Sequence, residues 1–172
     1  MKRRLTGGTV AFLAVFALAS HGVAATRAAP CGGRALAGRF SVVPGSAGAG
    51  SITYRLRLTN TSATACWVSG IPQLRLLGAR GGALPTKVSP AFPGEGTAAR
   101  IVLRHGASAK SDARFSPDVP GPGEQTQGQC EPKAYRLRVT LGGSSVTVPV
   151  TPPTPVCEHG ALSLSLFSAS GS

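Results

Sequence analysis

Acidic residues are scarce in this chain: six Asp and Glu among 172 residues, against 18 Lys and Arg. Glu95, Asp112, Asp118, Glu124, Glu131 and Glu158 mostly fall in loops beside proline or glycine. No pair among them is marked out for the two-carboxylate chemistry of glycoside hydrolysis. Histidine is rarer still, with only His105 and His159 beyond residue 25, and no Gly-x-Ser-x-Gly elbow is present. A hydrolytic triad therefore has no visible parts. The expectation is a protein that is not an enzyme and needs no cofactor. The closest cysteines, Cys130 and Cys157, are 27 positions apart, unlike the short spacing of a zinc ligand pair. His159 with Glu158 offers two ligands that nothing nearby in sequence completes, so no metal is expected. One Trp and two Tyr leave little for a carbohydrate-stacking platform. Long helical patterns are missing too.

The longest apolar run, Val10 to Ala19, is about half the roughly 20 residues that a spanning helix needs. It follows the basic Lys2-Arg3-Arg4 and precedes small residues at alternate positions, which is the make-up of a signal peptide. Cleavage is expected after Ala19 or Ala25, with the second preferred, so residues 1–25 are read as leader and 26–172 as one domain. Pro30 before Cys31 is wrong for a lipobox, and the C-terminal residues resemble no sorting signal or anchor. These features predict a secreted, extracellular product with no transmembrane segment in the mature chain.

All four cysteines, Cys31, Cys66, Cys130 and Cys157, lie in the mature part. An oxidising compartment makes disulfides the default. Of three connectivities, the pairing of sequence neighbours, Cys31–Cys66 and Cys130–Cys157, is expected. Loops of this length are each worth about 3–4 kcal/mol on the chain-entropy estimate. Without Lys2, Arg3 and Arg4 the chain keeps 15 basic and 6 acidic residues, a net charge of +9. Such an excess favours anionic partners and also keeps an exported protein soluble.

Glycine and proline, 23 and 14 in number, punctuate the chain every dozen residues or so, with short β-branched runs between. That rhythm predicts an all-β, immunoglobulin-like antiparallel β-sandwich. Strands are placed at 39–43, 51–60, 65–69, 73–77, 100–103, 109–115, 135–141, 145–150 and 162–167. The stretch 116–129 is read as a long flexible surface loop, 89–96 as another with Phe92 between prolines, and 151–155 as a stiff connector. Gly45-x-x-Gly48-x-Gly50 precedes a strand, so it is a turn and not a phosphate cradle. Asn60-Thr61-Ser62 is read as a turn that carries no glycan. In 51–60, Ile52, Tyr54, Leu56 and Leu58 share one face, and Thr53, Arg55, Arg57 and Thr59 share the other. Tyr135-Arg136-Leu137-Arg138-Val139 repeats this scheme, and Leu74-Arg75-Leu76 is a shorter case.

Several motifs together resemble the actinobacterial domain of unknown function 4232. They are Cys31 before a strand, the glycine-led strand from Gly48 to Asn60, the corner Cys66-x-x-x-Gly70-x-Pro72, and Leu76-Leu77 through Gly81. Val102-x-x-x-Gly106-x-x-Ala109, Cys130-x-Pro132, and Cys157 before Gly160 complete the set. Ile71 departs from the family's frequent aromatic, and His105 from its frequent proline. The resemblance spans almost the whole mature chain and implies an exported or surface-anchored sandwich with two bridges. It implies no activity.

The best functional lead is the repeated Arg-x-Arg. Arg55, Arg57, Arg136 and Arg138 make a basic ladder for an anionic envelope polymer or an acidic protein partner, provided that their strands are neighbours. The plain alternative is a solvated face that discourages edge pairing. Nucleic acid is not favoured. Trp67, next to Cys66, points away from the bridge on a strand and is a candidate exposed aromatic, as is Phe92. A rival reading is an inhibitor or accessory protein that docks on a secreted enzyme through 116–129, since unstructured loops of such length tend to be functional or disordered.

Overall fold

The computed structural model describes residues 28–94 and 98–170. The predicted leader, its cleavage positions and Glu95 lie outside the described residues. Among the described residues, twelve strands and one 3₁₀ turn make up nearly all of the regular structure. They are β1 (Ala29–Pro30), β2 (Leu36–Val42), β3 (Ile52–Asn60), β4 (Cys66–Val68), β5 (Gln73–Leu77) and β6 (Lys87–Pro90). Then follow β7 (Ile101–Leu103), β8 (Ser108–Phe115), β9 (Ala134–Leu141), β10 (Ser144–Thr154), β11 (Ala161–Leu164) and β12 (Ser168–Ala169).

A small sheet has the order β1-β4-β7, and a large one β5-β9-β10-β2-β3-β8-β11-β6, with β12 also on β8. β10 joins two halves of the large sheet. Its residues 144–149 run antiparallel to β9, whereas Val150 and Thr151 lie parallel to Phe40 and Ser41 of β2. The chain thus folds into a β-sandwich, mainly antiparallel, with parallel pairs at β1–β4, β2–β10 and β6–β11. The expected sandwich is the one found, and the three parallel contacts qualify its antiparallel character.

Alternation places the core. Tyr54, Leu56 and Leu58 of β3 are buried with Phe40 of β2, Leu137 and Val139 of β9, Val148 of β10, and Leu162 and Leu164 of β11. Phe40, Tyr54 and Phe115 stack in a tilted row with centroids 5.2 Å apart. From the small sheet, Cys66, Val68 and Leu103 close one side of the same cluster. Both expected disulfides form, Cys31–Cys66 and Cys130–Cys157. The first ties the chain before β2 to the small sheet, and the second ties the end of the 116–129 loop to the turn after β10.

Three expectations are corrected. Residues 151–155 are not merely a connector, because β10 continues to Thr154, which pairs with Ala134 beyond a register shift. Proline is tolerated there because β10 changes partner at that point, and the ladder no longer needs every N–H. The loop 89–96 begins as strand, since β6 runs parallel to β11 through Pro90 at the sheet edge. Finally, the strand expected at 162–167 stops at Leu164: β11 pairs with Ala113 and Arg114, and a separate β12 at Ser168–Ala169 pairs with Ala109 and Lys110. Between them Ser165 bonds the chain to Asp112 and Ser111.

Candidate functional site

The outward face of β2, β3 and β8 carries the polar half of three alternating strands. In register, Arg39 of β2 stands opposite Arg57 of β3, which stands opposite Lys110 of β8. The next row reads Ser41, Arg55 and Asp112. Arg55 is neutralised there, with Nε 2.7 Å from Asp112 Oδ1 and Nη2 2.8 Å from Oδ2. The carboxylate's hydrogen bond, and then its charge, raise the guanidinium's pKa against the opposing effect of burial. No acidic side chain among the described residues pairs with Arg39, Arg57 or Lys110. A shallow cleft of about 190 Å³ between Arg39, Arg55 and Arg57 opens onto this row.

The four arginines singled out from the sequence do not form one ladder. β10 and β2 lie between β3 and β9, so Arg136 and Arg138 belong to the other half of the sandwich. Arg138 faces Arg75 of β5 and Thr147 of β10, while Arg136 bonds the Ala79 carbonyl through Nη2 at 2.9 Å. Arg39 and Lys110 complete the row on Arg57 instead. Each sits at an outward position of an alternating strand, a signal that was readable in Gly38-Arg39-Phe40 and Ala109-Lys110-Ser111.

Trp67 does point away from the buried Cys66, but it is half-buried: the Arg100 guanidinium lies 4.5 Å from its ring centroid in a cation–π contact. Its cross-strand neighbours are Pro30 and the exposed Val102. Phe92 is 61% exposed beside a small cleft with Ile71 and Leu166. The two histidines bind different loops. His105 Nδ1 lies 3.0 Å from the Ser62 carbonyl, and His159 Nε2 lies 3.0 Å from that of Pro122.

His159 belongs to a turn that the sequence did not reveal. In Cys157–Gly160, Glu158 and His159 both have φ of 56°, and their backbone N–H groups converge outward. The Glu124 carboxylate fills this cradle. Its Oε2 accepts from Gly121 N at 2.7 Å and Glu158 N at 2.8 Å, and its Oε1 accepts from His159 N. Only 2% of the Glu124 side chain is exposed. Burial alone would raise its pKa, but the three backbone donors and the nearby His159 prevail and hold the carboxyl below its ordinary value. The 116–129 loop is therefore pinned at Glu124 and held just past its end by Cys130–Cys157, rather than free along its length.

The family model for Domain of unknown function (DUF4232) matches residues 31–168. The chain belongs to this family. No curated protein and no solved structure matches it. In the DUF4232 fold seen here, the Cys66-x-x-x-Gly70-x-Pro72 corner carries the small sheet over the core. Gly70 takes φ of 76° and its carbonyl accepts from Phe167 N at 3.0 Å. Family membership brings no activity with it. No helix among the described residues is long and apolar enough to cross a membrane.

Proposed function

We propose that this domain is an exported, non-enzymatic binding module. It acts at or outside the cell envelope by docking anionic polymers, or a partner with an acidic surface, on the outward face of β2, β3 and β8. The observation that carries this reading is the row Arg39, Arg57, Lys110. Like charges directly opposite on neighbouring strands destabilise a sheet. The fold supplies Asp112 to Arg55 in the adjacent row but no carboxylate to this one. A row of three cations that the sandwich does not need for stability suits a ligand that brings the negative charge. The disulfides and the leader-like first 25 residues support action in an oxidising, exported setting, and the net charge of +9 without that leader suits an anionic ligand.

The test is retention of the oxidised protein on cell-wall sacculi and soluble anionic polymers across a salt series. Retention should be tight at low ionic strength and fall steeply with salt, because exposed charges are screened within about 10 Å at 0.1 M. The triple change Arg39→Ser, Arg57→Ser, Lys110→Ser should abolish it, while Arg136→Ser with Arg138→Ser should weaken it only modestly. No retention at low salt, or an unaffected triple variant, refutes the reading.

A second reading rests on the pinned loop. Segment 116–129, fixed by Glu124 and Cys130–Cys157, presents a pre-organised edge of the kind an inhibitor of a secreted enzyme uses. Deleting the exposed part of the loop should then remove inhibition and leave polymer retention intact.

A further inference from the structure

The turn Cys157–Gly160 gathers three acceptors around one point. His159 Nε2 lies 3.0 Å from the Pro122 carbonyl, which can only accept, so Nε2 carries the ring proton. In the neutral ring Nδ1 then presents a lone pair. It faces two carboxylates, Glu124 Oε1 at 3.6 Å and Glu131 Oε1 at 3.9 Å. The ligand atoms of Glu124, Glu131 and His159 all lie within 4.8 Å of one another. Acceptors so placed repel unless a proton on Nδ1 or a metal cation sits among them, and the two are told apart by what binds at Nδ1.

We propose that Glu124, Glu131 and His159 form a divalent-metal site of zinc type, with water or an incoming donor in the fourth position. One imidazole nitrogen and two carboxylate oxygens match the N/O donors that zinc takes, at about 2.0–2.2 Å each. Ligands at that distance in a tetrahedron stand about 3.4 Å apart, so the 3.6 and 3.9 Å separations from His159 need small closures, and the two carboxylates, within 4.8 Å of each other, must also draw together. Calcium fits less well, since it prefers six to eight oxygens and no imidazole.

The surroundings are those of a supported ligand set. A metal-bound histidine usually donates its other ring N–H to a carbonyl or carboxylate, and Pro122 O takes that role here. A ligating carboxylate is usually oriented by further donors, and Gly121 N and Glu158 N hold Glu124. Cys130, adjacent to Glu131, is bonded to Cys157, two positions before His159, so the bridge keeps two ligands near each other. The fourth direction opens into a cleft of about 490 Å³ lined by Gln125, Gln129 and Pro132. Bound metal would lock the 116–129 loop to the turn, a role separate from the basic row on β2, β3 and β8.

The test is calorimetric titration of oxidised, chelator-treated protein with Zn²⁺ at pH 7.5, alongside thermal unfolding. One equivalent should bind, and Tm should rise. Glu131→Gln removes a ligand that takes no part in the backbone cradle and should weaken binding at least tenfold. His159→Asn should do the same, and Asn is chosen because it tolerates φ of 56°. Zinc should also move the ¹⁵N resonance of Nδ1 while Nε2 stays protonated. The proposal is overturned if no zinc binds, if both variants bind as the parent does, or if acid shifts Nδ1 and zinc does not. Should His159→Asn fail to fold, Glu131→Gln decides alone.

Discussion

Arg55 and Asp112 face each other across β3 and β8 and are joined by two parallel hydrogen bonds of 2.7 and 2.8 Å. This fork sits one row from Arg39, Arg57 and Lys110 and removes one cation from the basic face. Breaking it should therefore strengthen anion binding. Asp112→Asn is expected to raise the salt concentration that elutes the protein from an anionic polymer. Asp118→Asn, which makes the same change in net charge on the loop after β8, should raise it less. The side chains of the pair are 38% and 35% exposed, so solvent screening keeps the expected stability loss within about 1 kcal/mol. Equal elution shifts for the two variants would mean that net charge, and not the row, governs retention.

Tyr54 ties the aromatic row to the far strand. Its ring lies between Phe40 and Phe115, and its hydroxyl donates to the Pro152 carbonyl at 2.9 Å. Tyr54→Phe keeps the packing and loses one hydrogen bond to an exposed residue, so it should cost about 0.5–1.5 kcal/mol in urea unfolding. Tyr54→Ala empties the centre of the core and should cost about 3–5 kcal/mol. Burial raises the phenol's pKa, an effect that the Thr154 hydroxyl partly offsets. The sign follows from the fold preferring the neutral phenol. Its stabilisation is complete below the unfolded value near 10 and is lost as pH rises through the higher folded value. Unfolding midpoints between pH 9 and pH 12 should thus fall more steeply for the parent than for Tyr54→Phe.

The alternation in 51–60 was legible because one strand with one wet face needs only local pattern, and it placed Tyr54, Leu56 and Leu58 inside and Arg55 and Arg57 outside. Which strands neighbour one another was not legible. Pairing is non-local, and Arg-x-Arg on β3 and β9 looks the same whether two strands intervene or none. The likeness of Tyr135 to Tyr54 misled for a related reason. Ala134 pairs with Thr154 across a register shift, which breaks the alternation and leaves Tyr135 42% exposed while Tyr54 is buried. β1, β6 and β12 are two to four residues long, too short for any periodicity to register, and β1 and β6 each end in proline. The Glu124 cradle depends on left-handed backbone at both Glu158 and His159, and two consecutive non-glycine residues in that region, one of them Glu, give no sequence signal for it.

Asn60 closes β3, and its amide is fully employed. Nδ2 donates to the carbonyls of Thr64 at 2.8 Å and Leu103 at 2.9 Å, and Oδ1 accepts from Ser62 N and Ser62 Oγ. The residue is completely buried, so the Asn60-Thr61-Ser62 triplet offers no accessible nitrogen for a glycan. These bonds fold the turn between β3 and β4 against the end of β7, where Cys66 leads into the small sheet. Asn60→Ala leaves the Leu103 carbonyl without this donor in the interior and frees the turn, and should cost about 2–4 kcal/mol. Asn60→Asp keeps Oδ1 but sets a carboxylate oxygen against two carbonyls, so it should cost at least as much at pH 7 and recover in part as acid protonates it. Hydrogen exchange at Ser62 and Gly106 should accelerate in both variants, because Gly106 N donates to the Asn60 carbonyl at 2.8 Å. Unchanged exchange there would show that the main-chain ladder alone holds the corner, and that the buried amide is dispensable.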